Sequence, residues 1–249
     1  MVSLRFIVIG LIVLAGLALP FAAAAQETAA VAVSSGDVEV MSGGQAYVSY
    51  LAAPADGGPY PAVVLIHSFN GLEEGYRTMT DLLATEGFVV LAVGWQTFER
   101  SPSDAVVRQL LDDSAAFLSA RPDVDAARIG LTGFCAGGRY TMLLLPQMDV
   151  FAAGVAWYGF PYSGDTQAAN LAADLDAPML MIHGTNDQPS PIGDIYRYAG
   201  ALADAGAYFE LKVYQGEPHG FMLSNGQLRE DEIARDAFDE MVRFFRRKL

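Results

Sequence analysis

A short apolar strand, Arg128-Ile-Gly-Leu-Thr132, runs into Gly133-Phe-Cys-Ala-Gly-Gly138, and the only cysteine of the chain, Cys135, sits at the centre of that run. Few folds admit a Gly-x-Cys-x-Gly segment at the end of a strand. Glycines on both sides let the backbone reverse without Cβ clashes and let the next helix pack close to the strand it leaves. The residue at the apex of such a turn is presented as a nucleophile is. A lone cysteine is more often a buried structural residue, but the flanking glycines favour a catalytic thiol here.

The rest of the chain places that turn in a mostly parallel sheet. Val38–Val40 and Ala46–Leu51 read as two antiparallel strands around Ser42-Gly-Gly44, after a loose stretch to about Ser35. Pro61–Ile66, Phe88–Val93, Gly154–Tyr158 and Pro178–Ile182 are continuous apolar runs, the pattern of strands buried on both faces. A further strand is expected over Tyr208–Tyr214. Between them, Arg77–Glu86 and Ser103–Ala120 carry apolar residues at helical spacing, and Gly87 provides a C-terminal stop. Arg229–Leu249 closes the chain as an amphipathic helix. Strands alternating with helices predict an α/β fold with helices on both faces, and ligands in such sheets bind beyond the carboxyl ends of the strands.

The first 25 residues have a different character. Arg5 precedes the apolar run Phe6–Leu19, Pro20 breaks it, and Ala22–Ala25 supplies a small-residue cleavage site before Gln26. The run is shorter than the roughly 20 residues of a membrane span, so export to the periplasm or medium is expected. Stable membrane association is expected only if the segment is retained. Residues 26–249 then form one α/β domain. Because Arg5 is the segment's single charge, its removal takes the formal net charge from −14 to −15. That balance argues against nucleic acid and against an anionic membrane surface as partner.

A thiol nucleophile requires a base, and the base an orienting acid. His219 lies in Tyr214-Gln-Gly-Glu-Pro-His-Gly-Phe221, after the last expected strand, and Asp187 ends Ile182-His-Gly-Thr-Asn-Asp187 beyond another. Cys135, Asp187, His219 is nucleophile, acid, base, the chain order of the α/β-hydrolase triad. His183 is placed to support the acid loop, His67 to support the loop after the third strand, and Glu217 reads as a solvated charge. Donors for an oxyanion are expected from the backbone N–H of Ala136 and of Phe69, with Ser68 as the neighbouring alternative. Trp95, Tyr158, Phe160, Tyr162 and Phe221 are candidates for the substrate pocket, although strand-end aromatics are as often core.

Taken together, the Gly133–Gly138 elbow, the His-Gly-x-x-Asp187 loop, Pro-His219-Gly-Phe and Val64-Leu-Ile-His-Ser-Phe-Asn-Gly71 resemble the dienelactone hydrolase family. The resemblance spans nearly all of residues 26–249. It implies an α/β-hydrolase fold and cleavage of a small ester or lactone through a Cys-His-Asp triad, with no metal or organic cofactor, in a monomer or small homo-oligomer. Two departures stand out. Ser68 occupies the position where the founding enzymes carry a glutamate contacting the thiol. Met222, Leu223 and Ser224 follow Phe221, where those enzymes carry an arginine for a substrate carboxylate. A substrate other than the small anionic dienelactone is therefore expected, and Arg100 is the one candidate anion contact in the segment from Gly94 to Ser103. The alternatives are a non-catalytic binding protein on the same scaffold and a thiol redox protein; for the latter the chain has no second cysteine to resolve an oxidised thiol. If the export reading holds, N-terminal sequencing of protein recovered outside the cytoplasm will begin at Gln26, whereas a start at Met1 would refute cleavage.

Overall fold

The computed structural model describes Met1 and residues 31–249, so the expected export segment, residues 1–25, lies outside the described residues apart from Met1. Among the described residues ten strands and five α-helices follow in order. They are β1 (Val33–Ser42), β2 (Gln45–Pro54), β3 (Tyr60–Ile66), α1 (Glu74–Thr85), β4 (Val89–Val93), α2 (Asp104–Ser119), β5 (Val124–Phe134) and α3 (Ala136–Leu144). Beyond these come β6 (Ala153–Trp157), β7 (Met179–Gly184), α4 (Ile192–Ala205), β8 (Phe209–Tyr214), the short pair β9 (Leu223–Ser224) and β10 (Gln227–Leu228), and α5 (Glu232–Lys248).

Eight strands form one sheet in the order β1-β2-β4-β3-β5-β6-β7-β8. The first two pairings are antiparallel, and every pairing from β4 to β8 is parallel. This is an α/β-hydrolase sheet, as the alternation of apolar runs and helical segments predicts. Residue alternation divides its core in two. Along β3, Val64 and Ile66 point to one face, with Val107, Leu111 and Leu118 of α2 and Ile195 of α4. Val63 and Leu65 point to the other, with Met79 and Leu83 of α1 and Phe244 and Phe245 of α5. Both sets are nearly free of solvent; burial of apolar area on two faces is what makes these strands continuous hydrophobic runs rather than alternating ones.

Local chemistry sets the element ends, and some lie outside the sequence-based expectation. Strand β1 begins at Val33, two residues inside the stretch expected to be loose, because backbone pairing to β2 continues as far as Pro54. Helix α1 begins at Glu74 rather than Arg77, and α5 begins at Glu232 rather than Arg229. In the latter, Asp231 caps the helix by accepting from Ala234 N at 3.0 Å, which leaves Arg229 outside. Ser103 caps α2 in the same way.

The chain leaves β3 for β4 on one side and then crosses to β5 on the other, so neighbours of β3 are approached from opposite directions. That switch point is where a crevice opens at the carboxyl edge of a doubly wound sheet. Register aligns the edge: Ile66 pairs with Gly133, Phe134 with Trp157, Trp157 with Ile182, and Gly184 with Tyr214. Among the described residues no helix is long and apolar enough to cross a membrane.

Candidate active site

Cys135 occupies the turn between β5 and α3 with φ 58° and ψ −110°, a backbone state that a β-substituted residue adopts only under constraint. The constraint is close packing. A Cβ on Gly133 would collide with the carbonyl of Gly137, and a Cβ on Gly137 with the carbonyl of Ile66 at the end of β3. The first turn of α3 is thereby seated against two strand ends. Cys135 N donates to Trp157 O at 3.0 Å, tying the elbow to β6 as well.

His219, from the loop after β8, is brought next to this thiol. Its Nδ1 donates to Asp187 Oδ2 at 2.8 Å, and Asp187 lies in the turn after β7 with its side chain fully buried. The second carboxylate oxygen of Asp187 accepts from Ser190 N at 2.8 Å. His183 Nε2 donates to Ser190 O at 2.7 Å and lies 3.4 Å from Asp187 Oδ2, so it underpins the acid turn. Burial holds His183 below its ordinary pKa, so it is neutral there. Asp187 is thus oriented by backbone and by His183, and it fixes the His219 tautomer with Nδ1 protonated.

The proton affinity of His219 has opposing causes. Burial pulls it down, but the bond to Asp187 and the neighbouring Cys135 sulfur outweigh that, and the pKa rises to about 9. Nε2, the nitrogen turned away from Asp187, makes no regular hydrogen bond among the described residues. Its influence from Cys135 therefore reflects proximity rather than a formed bond in this arrangement.

The loop after β3 forms the other side of the crevice. His67 is buried and held down at about 4 by loss of solvent, so it is neutral, and its Nδ1 donates to Ser68 O at 2.7 Å. Asn70 N donates to Ser68 Oγ and Gly71 N to Ser68 O. Those contacts hold the turn on either side of Phe69. Ala136 N–H is the first amide of α3, which no helical carbonyl can reach. The crevice holds a cavity of about 410 Å³, bounded by Ser68, Phe69 and Tyr76 on one side and by Cys135, Tyr158 and His219 on another. Glu73 and the β9–β10 hairpin, through Leu223, Asn225 and Gly226, complete its wall.

The aromatic candidates divide. Tyr158 lines the cavity, although it is only 1 % exposed, and its hydroxyl has no hydrogen-bond partner among the described residues. Trp95 does not line it. Its ring stacks on His67 with centroids 5.3 Å apart, and its Nε1 donates to His67 O, so it braces the loop from behind. Phe160 packs against the His219 ring at 5.3 Å and holds the imidazole rather than bounding the cavity. Phe221 points into the core against Tyr158 and Tyr214, and Tyr162 lies under the Arg197 guanidinium. Arg100 sits over the Phe69 ring, 4.7 Å from its centroid, and faces an adjoining depression.

Glu217 and Arg229 correct another expectation. Glu217 is 9 % exposed, not solvated, and Arg229 Nη1 donates both to Glu217 Oε2 at 2.6 Å and to Phe221 O at 2.7 Å. These two acceptors bracket His219. Asn186 N donates to Glu217 O at 3.0 Å, which joins the acid turn to the histidine loop directly. No spacing rule points to Arg229, because it acts through a loop ten residues upstream. The hairpin was readable: Asn225-Gly226 is a two-residue turn signal, and both residues have positive φ.

An eight-stranded sheet of this order, with a nucleophile elbow, a histidine and a buried aspartate at its carboxyl edge, defines an α/β-hydrolase. A family model described as "Dienelactone hydrolase family" matches residues 48–249, and the chain belongs to that family. A protein of Methylorubrum extorquens, provisionally named a carboxymethylenebutenolidase, is 30% identical over 94% of this chain and 91% of its own. One from Escherichia coli with the same provisional name is 29% identical over 91% and 92%. The crystal structure of a Klebsiella pneumoniae protein, provisionally classed as a dienelactone hydrolase, superposes with a TM-score of 0.78 at 28% identity, covering 86% of this chain and 99% of that one. The chain is by class a hydrolase of carboxylic esters or lactones, acting on a small molecule.

Two outcomes are expected. NMR titration of the His219 imidazole will give a midpoint of about 9, and Asp187→Asn will lower it, because the anion that favours the imidazolium is gone. Since the folded value lies above the ordinary 6.5, protonation of His219 favours the folded state fully below about pH 6.5, and that contribution is lost as pH rises through about 9. Arg229→Ala releases the brackets of the His219 loop. It will lower kcat on an activated ester by about 10- to 100-fold with a smaller change in KM; unchanged kcat would show that the loop holds itself.

Proposed function

We propose that the protein hydrolyses small carboxylic esters or lactones by covalent acyl transfer through Cys135, His219 and Asp187. The observation that carries this reading is their convergence: one cavity takes in the elbow thiol and a histidine whose far nitrogen is locked by a buried carboxylate.

In the proposed cycle the Cys135 proton is held on His219 Nε2, and Cys135 Sγ attacks the carbonyl carbon. The carbonyl oxygen becomes an oxyanion between the N–H groups of Phe69 and Ala136, where backbone dipoles stabilise the new charge. Collapse breaks the carbon–oxygen ester bond, and His219 Nε2–H protonates the departing alkoxide. For a lactone the alcohol stays tethered. His219 then takes a proton from water as it attacks the thioester, and collapse of the second tetrahedral intermediate returns the acid and the Cys135 thiolate. A thiolate is a better leaving group than an amide nitrogen, so oxygen esters and lactones are favoured over peptides. Imidazolium must be present to protonate the alkoxide, so the raised pKa of His219 predicts an alkaline decline of acylation near pH 9.

Hydrolysis of a short-chain activated ester tests the assignment. Cys135→Ala and His219→Ala will each reduce kcat/KM by about 10³-fold or more, and alkylation of Cys135 with one equivalent of iodoacetamide will abolish turnover. Activity surviving in Cys135→Ala would mean that another group is the nucleophile.

A further inference from the structure

Among the side chains that line the cavity over Cys135, Glu73 is the one carboxylate, and the proposed acyl transfer leaves it without a task. Glu73 precedes α1 in the N-cap position, yet its carboxylate makes no capping bond to the helix. It lies instead toward the tip of the β9–β10 hairpin, where a Cβ on Gly226 would come within 3.2 Å of Glu73 Oε1. Among the described residues no lysine or arginine forms an ion pair with it, and none lines the cavity. His219 is the cavity's one basic group, and Asp187 already accepts from it.

The arginines of the surrounding elements are engaged elsewhere. Arg77 pairs with Asp37, and Arg229 pairs with Glu217 and Asp231. Arg100 faces the adjoining depression. The other polar side chains that line the cavity, besides Cys135, are those of Ser68, Asn70, Tyr76, Tyr158 and Asn225. A carboxylate entering here would meet the Glu73 carboxylate, and the one cation, the His219 imidazolium, is already paired with Asp187. An uncharged ligand would find hydrogen-bond partners, and a cationic one would also find a counter-charge.

We propose that Glu73 makes this cavity a charge filter, selecting uncharged or cationic esters and lactones and rejecting carboxylate-bearing ones. The proposal rests on the reading of the cavity as the acyl-transfer site. It separates this chain from what the names of its relatives indicate, since a carboxymethylenebutenolide carries a carboxylate. Like charges some 6 Å apart at a partly buried site discriminate by about five- to fifty-fold.

Cys135, the chain's only cysteine, serves as the reporter in a test that needs no turnover. The full chain and Glu73→Gln are reacted with the trimethylammonioethyl and sulfonatoethyl methanethiosulfonates, each rate being divided by that for 2-mercaptoethanol. The cationic-to-anionic ratio will exceed one in the wild type and fall by about fivefold or more in Glu73→Gln. An equal ratio in the two proteins overturns the filter. In parallel, hydrolysis of a neutral activated ester is compared with that of its carboxylate-bearing counterpart, and the neutral preference will narrow in Glu73→Gln. Turnover of both esters without preference overturns the filter while leaving the hydrolase intact. Charge-selective labelling without hydrolysis of either ester would instead refute the acyl-transfer reading, and substrate selection with it.

Discussion

The close approach of backbone to backbone beneath Cys135 is the contact on which the rest of the site depends. Gly137 lies against the carbonyl of Ile66 and Gly133 against that of Gly137, distances at which no Cβ fits. Because of them α3 starts within reach of the ends of β3, β5 and β6 at once. The same packing holds Cys135 at positive φ at the start of α3. The elbow is therefore placed by one steric fact, with the Ser68–Phe69 loop on the other side of the switch point of the sheet.

A second layer secures the acid and the base, which come from loops rather than from strands. Loops need anchors if side chains are to stay within hydrogen-bond reach. Here Gly184 admits the Glu217 backbone, Asn186 donates to Glu217, and Arg229 grips Glu217 and Phe221 on either side of His219. Phe160 and Tyr158 flank the imidazole. Arg229 also pairs with Asp231, the cap of α5, so the histidine loop is tied to the last helix of the chain. The aromatic side chains near the sheet edge thus serve two ends, and only Tyr158 both packs on the histidine and bounds the cavity.

Much of this was legible in the residues. Apolar runs identified β3, β4, β6 and β7 because a strand buried on both faces has no polar face to show. Ser103 and Gly87 marked helix ends through capping and positive φ, which act locally. The elbow was visible because its sterics demand glycine at fixed offsets from Cys135, and the order of Cys135, Asp187 and His219 followed from their places after strands. Trp95, Phe160 and Phe221 could not be sorted in the same way. An aromatic at a strand end can turn toward a cavity or a core, and neighbours distant in sequence decide which.

The alternation of strands and helices and the elbow were readable from the chain alone, since each depends on interactions within a few residues, and the proposed triad of Cys135, Asp187 and His219 was readable from their order after successive strands. Tertiary structure decided what those residues face. It buried Glu217 and gave it Arg229 as partner, turned Trp95 into the support of His67, and folded the β9–β10 hairpin and Glu73 into the wall above the thiol. Charge pairing, cavity walls and proton affinity depend on groups tens of residues apart that meet only when the sheet closes its register, and no local pattern encodes those distances.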